Sequence, residues 1–155
     1  MSGESFQLSF ENLKAWCQRQ KYEFSENTQL GQLAIHYQLL GQPAPLLVLP
    51  QFDRGIVMFV MRQPYQVPED RRVDIARSAS LINAQVFMGA FVVNSNTGEL
   101  FFRVSVPALD TQYSDQALLH VARIAVGTSE KLAPALKAVA LEGADPVKSF
   151  NAIGG

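Results

Sequence analysis

Of 155 residues, 48% are apolar and only 17% charged, with a formal net charge of −1. That composition excludes general disorder and allows one sizeable core. It offers neither a basic field for nucleic acid nor a polybasic patch for a membrane surface. A single cysteine, Cys17, cannot form an intrachain disulfide and is too little for a metal site. The N-terminal residues lack a basic-then-apolar leader, and the longest apolar runs are about eight residues, far short of a membrane span. The expected location is the cytoplasm.

Ser9 is placed to cap a first helix whose apolar face is Phe10, Leu13, Trp16 and Cys17, ending near Gln20. Tyr22 and Phe24 alternate with Lys21 and Glu23. Leu33, Ile35, Tyr37 and Leu39 alternate with Gln32, Ala34, His36 and Gln38, the period of a half-buried strand. After a turn at Gly41, Pro43 and Pro45, Leu46 to Leu49 form a short strand that Pro50 ends. Asp53-Arg54-Gly55 then makes a tight turn into the six apolar residues Ile56 to Met61. Pro64 and Pro68 bracket a connection.

Pro68 suits a helix start, with Glu69 and Asp70 at the positive end of the dipole. This second helix is predicted to run to about Ala84, with Val73, Ala76, Ala79, Ser80 and Asn83 along one stripe and Ile75, Leu81 and Ile82 adding apolar bulk. Val86 to Val93 reads as a continuous apolar strand, Asn94 to Gly98 as a hairpin turn, and Leu100 to Val106 as the returning strand. Ser114 caps a third helix. Leu118, Val121, Leu132, Leu136 and Val139 stay in helical phase, predicting one long helix perturbed at Gly127 and Pro134. Residues 143–155, with Asp145-Pro146 and Gly154-Gly155, read as a loose tail.

These elements predict an α+β fold: an antiparallel five- to six-stranded sheet with helices packed on one face, in the order α-β-β-β-α-β-β-α. One domain spans residues 1–155, with its core at about 9–140. Ile56 to Met61 and Val86 to Val93 carry the most information, because both are apolar at odd and even positions. Strands of that kind are covered on both sides. Three helices can cover one face, and the other then needs a second molecule, unless the helices divide between the two faces or a loop covers the second one. The expected partner is a second copy of the chain, or else a protein or peptide. Candidate interface residues are Ile56, Met58, Val60, Phe87, Met88 and Phe91.

No residue cluster announces a reaction. His36 and His120 lack acidic residues at ligand spacing, and no HExxH, CxxC or calcium-loop pattern occurs. GxGxxG, GxxxxGK[ST] and GxSxG are absent, so no catalytic, metal or cofactor-binding residue and no cofactor is expected. Glu69, Asp70, Arg71 and Arg72 read as a solvated helix end. An alternative function is a small-molecule sensor or enzyme with a pocket between sheet and helices, for which Asn83, Arg103, Tyr37 and His36 are the polar candidates. A structural accessory subunit is a third reading.

Three stretches together resemble a known family. They are Trp16 followed by Tyr22 and Phe24; the strand pair around Asp53-Arg54-Gly55-Ile56-Val57-Met58; and Ile82-Asn83-Ala84-Gln85-Val86-Phe87-Met88-Gly89-Ala90-Phe91 leading to Asn96-Thr97-Gly98-Glu99-Leu100-Phe101-Phe102-Arg103. The pattern resembles the YbjN-like family of bacterial proteins, similar in fold to type III secretion chaperones, over roughly residues 9 to 140. Gly127 and Pro134 within the last helical region depart from it. The resemblance implies a helix-flanked antiparallel sheet, frequent dimerisation and a binding, chaperone-like or regulatory role without catalytic residues. Secretion chaperones are often markedly acidic, and this chain is nearly neutral.

Overall fold

The structure, a computed structural model, describes residues 4–150. In chain order they form β1 (Ser5–Gln7), α1 (Phe10–Arg19), β2 (Phe24–Asn27), β3 (Gln32–Ile35), β4 (Gln38–Leu39), β5 (Gln42–Pro43), β6 (Leu46–Gln51) and β7 (Ile56–Gln66). After these come α2 (Arg72–Asn83), β8 (Ala90–Val93), β9 (Glu99–Pro107), β10 (Gln112–Ser114) and α3 (Asp115–Leu141). Six strands make one sheet in the order β2-β3-β6-β7-β9-β8, and every neighbouring pair is antiparallel.

Local chemistry accounts for the helix starts. The Ser9 hydroxyl accepts the Asn12 N–H at 3.1 Å, and the Ser114 hydroxyl accepts the Ala117 N–H at 3.1 Å. Each satisfies a backbone donor that the first helical turn cannot. Leu13, Trp16 and Cys17 turn inward from α1. Burial pushes the Cys17 thiol up to about 12, so it stays protonated and inert. The Arg19 guanidinium hydrogen-bonds the Asp115 carboxylate at 2.9 Å and holds that carboxyl below its usual range, joining the end of α1 to the start of α3.

Several expectations need correction. β6 and β7 run through Pro50 and Pro64 rather than stopping at them. β7 shifts register against β9 between Arg62 and Gln66, and such an irregularity tolerates a residue without an N–H. The buried face of α2 is Ile75, Ser78, Ala79 and Ile82, whereas Val73 is 74% exposed. Residues 86–89 are not strand, since β8 begins only at Ala90. α3 is one uninterrupted helix of 27 residues. Pro134 and Glu130 both face solvent, where water can serve the carbonyl that a proline leaves without its donor. The clasp of β1 with β10 and the small β4–β5 hairpin were not foreseen.

Residues 143–150, expected to hang loose, are instead anchored. Phe150 is fully buried, the Gln85 amide donates to its carbonyl at 3.0 Å, and the Ser78 hydroxyl donates to Pro146 O at 2.8 Å. Gly154 and Gly155 lie outside the described residues. Arg71 and Arg72, expected at a solvated helix end, are committed to backbone carbonyls. Arg71 donates from Nε to Val139 O at 2.8 Å and from Nη2 to Ala144 O at 3.0 Å, and Nη1 meets Asp74 at 2.7 Å. Arg72 reaches Val67 O, Ser95 O and Asn96 O. Arg71→Met is expected to lower unfolding stability by about 2–3 kcal/mol, since hydrogen bonds from a charged donor are worth about 1.5–3 kcal/mol each and two carbonyls lose theirs. Urea unfolding measures this, and an unchanged midpoint would show the clamp to be energetically idle.

The turn Asn94 to Gly98 depends on backbone freedom at its last residue. Gly98 has φ of 81°, and a Cβ there would collide with the Val67 carbonyl and the Arg72 guanidinium. Gly98→Ala is therefore expected to cost about 2 kcal/mol through strain at this position, readable as a lowered melting temperature. A melting temperature equal to the parent's would contradict it.

One hydrophobic core joins the inward residues of the sheet to all three helices. It includes Leu33, Leu46, Phe59, Met61, Phe102 and Val104 from strands, Trp16 from α1, Ile82 from α2, and Leu118 and Leu136 from α3.

A candidate interface on the open sheet face

Alternation along each strand divides the sheet into two unlike faces. Val57, Phe59 and Met61 of β7 point into the core, as do Leu100, Phe102, Val104 and Val106 of β9. Their neighbours point the other way. Register places Leu49 opposite Met58, Leu47 opposite Val60, and Phe101 between Arg62 and Val92. With Ile56, Ala34 and Ala90 these make a continuous apolar surface across β3, β6, β7, β9 and β8. None of these side chains belongs to the core or packs against it. They are half-buried by one another, Val60 more deeply at 5% exposure, and no helix among the described residues lies over them.

The polar groups on this face are few. Arg62 Nε pairs with Glu99 Oε1 at 3.0 Å, so that pair adds no net charge. Arg103 and Ser105 are exposed beside Val60 and Met58. The patch is thus an apolar centre with a thin polar border, the composition of an interface core and its rim.

Of the residues expected at an interface, Ile56, Met58 and Val60 lie on this face. Phe91 does not: it is 2% exposed and stacks on Phe102 at 4.8 Å in the core. Phe87 and Met88 leave the sheet altogether and stand on the α2–β8 connection, 107% and 40% exposed. The cause is Asn83, whose side-chain amide donates to Phe91 O at 3.0 Å and whose oxygen accepts the Phe91 N–H at 2.8 Å. That pair of bonds fixes where β8 begins. Leu47, Leu49, Val92 and Phe101 were missed. The signal was present in the parity of Leu46 to Leu49 and of Leu100 to Val106, each apolar at some outward positions as well as inward ones.

The polar candidates for a pocket do not converge. Asn83 is committed to the Phe91 backbone, and Arg103 stands on the open sheet face. His36 is exposed and 3.9 Å from Glu23, while the Tyr37 ring packs edge-on against Tyr22 at 6.4 Å. Among the described residues no three His, Cys, Asp or Glu side chains are grouped to hold a metal ion. No helix among them is long and apolar enough to cross a membrane.

Among the described residues, a sheet backed on one side by three helices and bare on the other defines an α+β protein with a single layer of cover. The model of the YbjN family, described as "Putative bacterial sensory transduction regulator", matches residues 9–138, and the chain belongs to that family. The crystal structure of YbjN from E. coli superposes with a TM-score of 0.67 at 15% identity, covering 90% of this chain and 97% of that one. At that identity the likeness is one of fold. No curated protein matches the chain.

Proposed function

We propose that this protein is a non-enzymatic regulatory module of the cytoplasm that acts as a homodimer, two copies packing through the open sheet faces. The observation that carries this reading is the apolar surface from Leu47 and Leu49 through Met58 and Val60 to Phe101 and Val92, which the helices among the described residues leave uncovered. Contiguous apolar surface of this kind favours association, each side chain contributing about 1.5–3 kcal/mol on full burial. A second copy is the occupant that the charge favours. The face is nearly neutral because Arg62 and Glu99 pair within it, and the whole chain carries only −1, so two copies repel little. A two-fold axis places each patch against its own image, as most soluble dimers do. The family's description as sensory transduction regulators supports a regulatory role.

Sedimentation velocity over a wide concentration series tests the reading. A species of twice the chain mass that dissociates on dilution is expected. A strict monomer at the highest concentration would overturn it.

A further inference from the structure

Two sheets can meet face to face about a two-fold axis in two ways, with the axis along the strands or across them. An axis along the strands lays the β2–β3 flank of one copy over the β9–β8 flank of the other. An axis across them lays each flank over its own image. We infer that the homodimer proposed for the open sheet face, on which this assignment rests, has its axis along the strands between β6 and β7, with Arg103 of each copy seated in a notch beside Ala34 of the other.

The two flanks differ in relief. At the β2–β3 end the small side chains of Ser25 and Ala34 leave a notch of about 120 Å³, reaching Gln32 and Leu47 on the open face. Glu26 stands at its rim, 3.1 Å from Lys14. The other end carries the larger Phe101 and Val92 and the exposed Arg103. Register sets Ser25, Ala34, Leu47, Val60, Arg103 and Ala90 in one row across the sheet. Between β6 and β7 lies the middle of the six-stranded order. Rotation about an axis there, along the strands, keeps every residue at its own height. Leu47 then meets Val60, Leu49 meets Met58, and Ala34 meets Arg103.

Charge favours the same arrangement. Arg62 is paired with Glu99, whereas Arg103 has no ion pair or hydrogen bond among the described residues. Across an apolar interface an uncompensated guanidinium is costly. An axis across the strands would lay β9 against β9, bringing two Arg103 side chains together and leaving two notches unfilled. With the axis along the strands, the guanidinium crosses the roughly 10 Å between packed sheets. It then reaches the Ser25 hydroxyl, the Gln32 amide oxygen and the Glu26 carboxylate, all acceptors for its five donors.

Cross-linking tests the orientation. The full chain is prepared as Ala34→Cys and, separately, as Arg103→Cys, and treated at high concentration with a short bis-maleimide. Cys17 is buried and offers no competing thiol. An equal mixture of the two variants is expected to give covalently linked dimers. Ala34→Cys alone is expected to stay unlinked, its two copies standing three strand spacings, about 14 Å, apart along the sheet. Arg103→Ala is expected to weaken the dimer at least ~10-fold, as truncation of a seated interface arginine does, with unchanged far-ultraviolet circular dichroism. Linkage in Ala34→Cys alone, no linkage in the mixture, or a tighter Arg103→Ala dimer would overturn the orientation. Sedimentation velocity on the parent chain separates this failure from that of the dimer itself. A mass of two chains would leave the sheet-face dimer standing without this axis, and a strict monomer would remove both.

Discussion

Met58→Asp is expected to raise the dissociation constant of the proposed dimer at least ~100-fold, corresponding to about 3 kcal/mol or more, while the monomer keeps its fold. Met58 lies on the open face, half-buried and outside the core, opposite Leu49 on one side and Ser105 on the other. Within the isolated chain the new carboxylate would reach water, so its effect on folding stability is expected to stay within about 1 kcal/mol. In a two-fold interface the substitution enters twice, and both carboxylates lose water in an apolar environment without a partner. Sedimentation equilibrium of parent and variant measures the shift. An equally tight variant dimer would place any interface elsewhere on the molecule.

Trp16→Ala carries the largest expected effect on stability, a loss of about 3–5 kcal/mol as for other large-to-small core changes. Measured against the roughly 5–15 kcal/mol of a whole domain, that is enough to leave the protein marginal. Trp16 is completely buried. Its ring meets Tyr22 at 5.5 Å and Phe59 at 6.4 Å, both edge-on. The indole N–H donates to the Asp115 carbonyl at 3.2 Å, so one side chain joins α1, the sheet and the first turn of α3. Truncation leaves a cavity and an unpaired carbonyl together. Equilibrium urea unfolding followed by circular dichroism reads the change. A cost under about 1 kcal/mol would mean that the neighbouring rings collapse into the space, which the close packing of protein interiors disfavours.

The features that could be read from the chain are those fixed by neighbours in sequence. Ser9 and Ser114 cap helices because a hydroxyl at that position meets a donor three residues on. Asn94 to Gly98 turns because the Asn94 side chain accepts from Asn96 and Thr97. The doubly apolar run Ile56 to Met61 was read correctly as a strand with an outward apolar face, since its parity decides which residue goes where. Val86 to Val93 has the same composition and a different fate. There, bonds between Asn83 and Phe91 set the strand start. Gly89, at φ of 88°, lets the chain pass so close to the Phe102 ring that a Cβ would collide with it. Those contacts join residues whose pairing no hydrophobic period announces.

The phase of α2 was misjudged for a related reason. Ser78 faces inward because Pro146, 68 positions away, accepts its hydroxyl proton, and a scale of side-chain hydrophobicity assigns serine to water. Arg71 and Arg72 looked like ordinary surface charges for want of any signal that carbonyls of Val139, Ala144 and Val67 lie within reach. The β1–β10 clasp consists of three pairs, the polar Ser5 with Ser114 and Gln7 with Gln112 flanking the aromatic Phe6 with Tyr113, too short for alternation to register. For the candidate interface, the sheet's central strand was legible and its flanks were not. Outward positions on β6, β8 and β9 become one surface only when strand order and register are known.

The methionines offer the most direct measurement. Met61 is sealed in the core, Met58 lies on the open sheet face, and Met88 stands on an exposed connection 40% accessible to solvent. Hydrogen peroxide oxidation, read residue by residue by mass spectrometry over a range of protein concentrations, should show Met58 becoming protected as concentration rises. Met88 should react at a constant rate and Met61 should stay inert throughout. If Met58 were oxidised at the same rate in dilute and concentrated protein, no second copy would be covering the sheet.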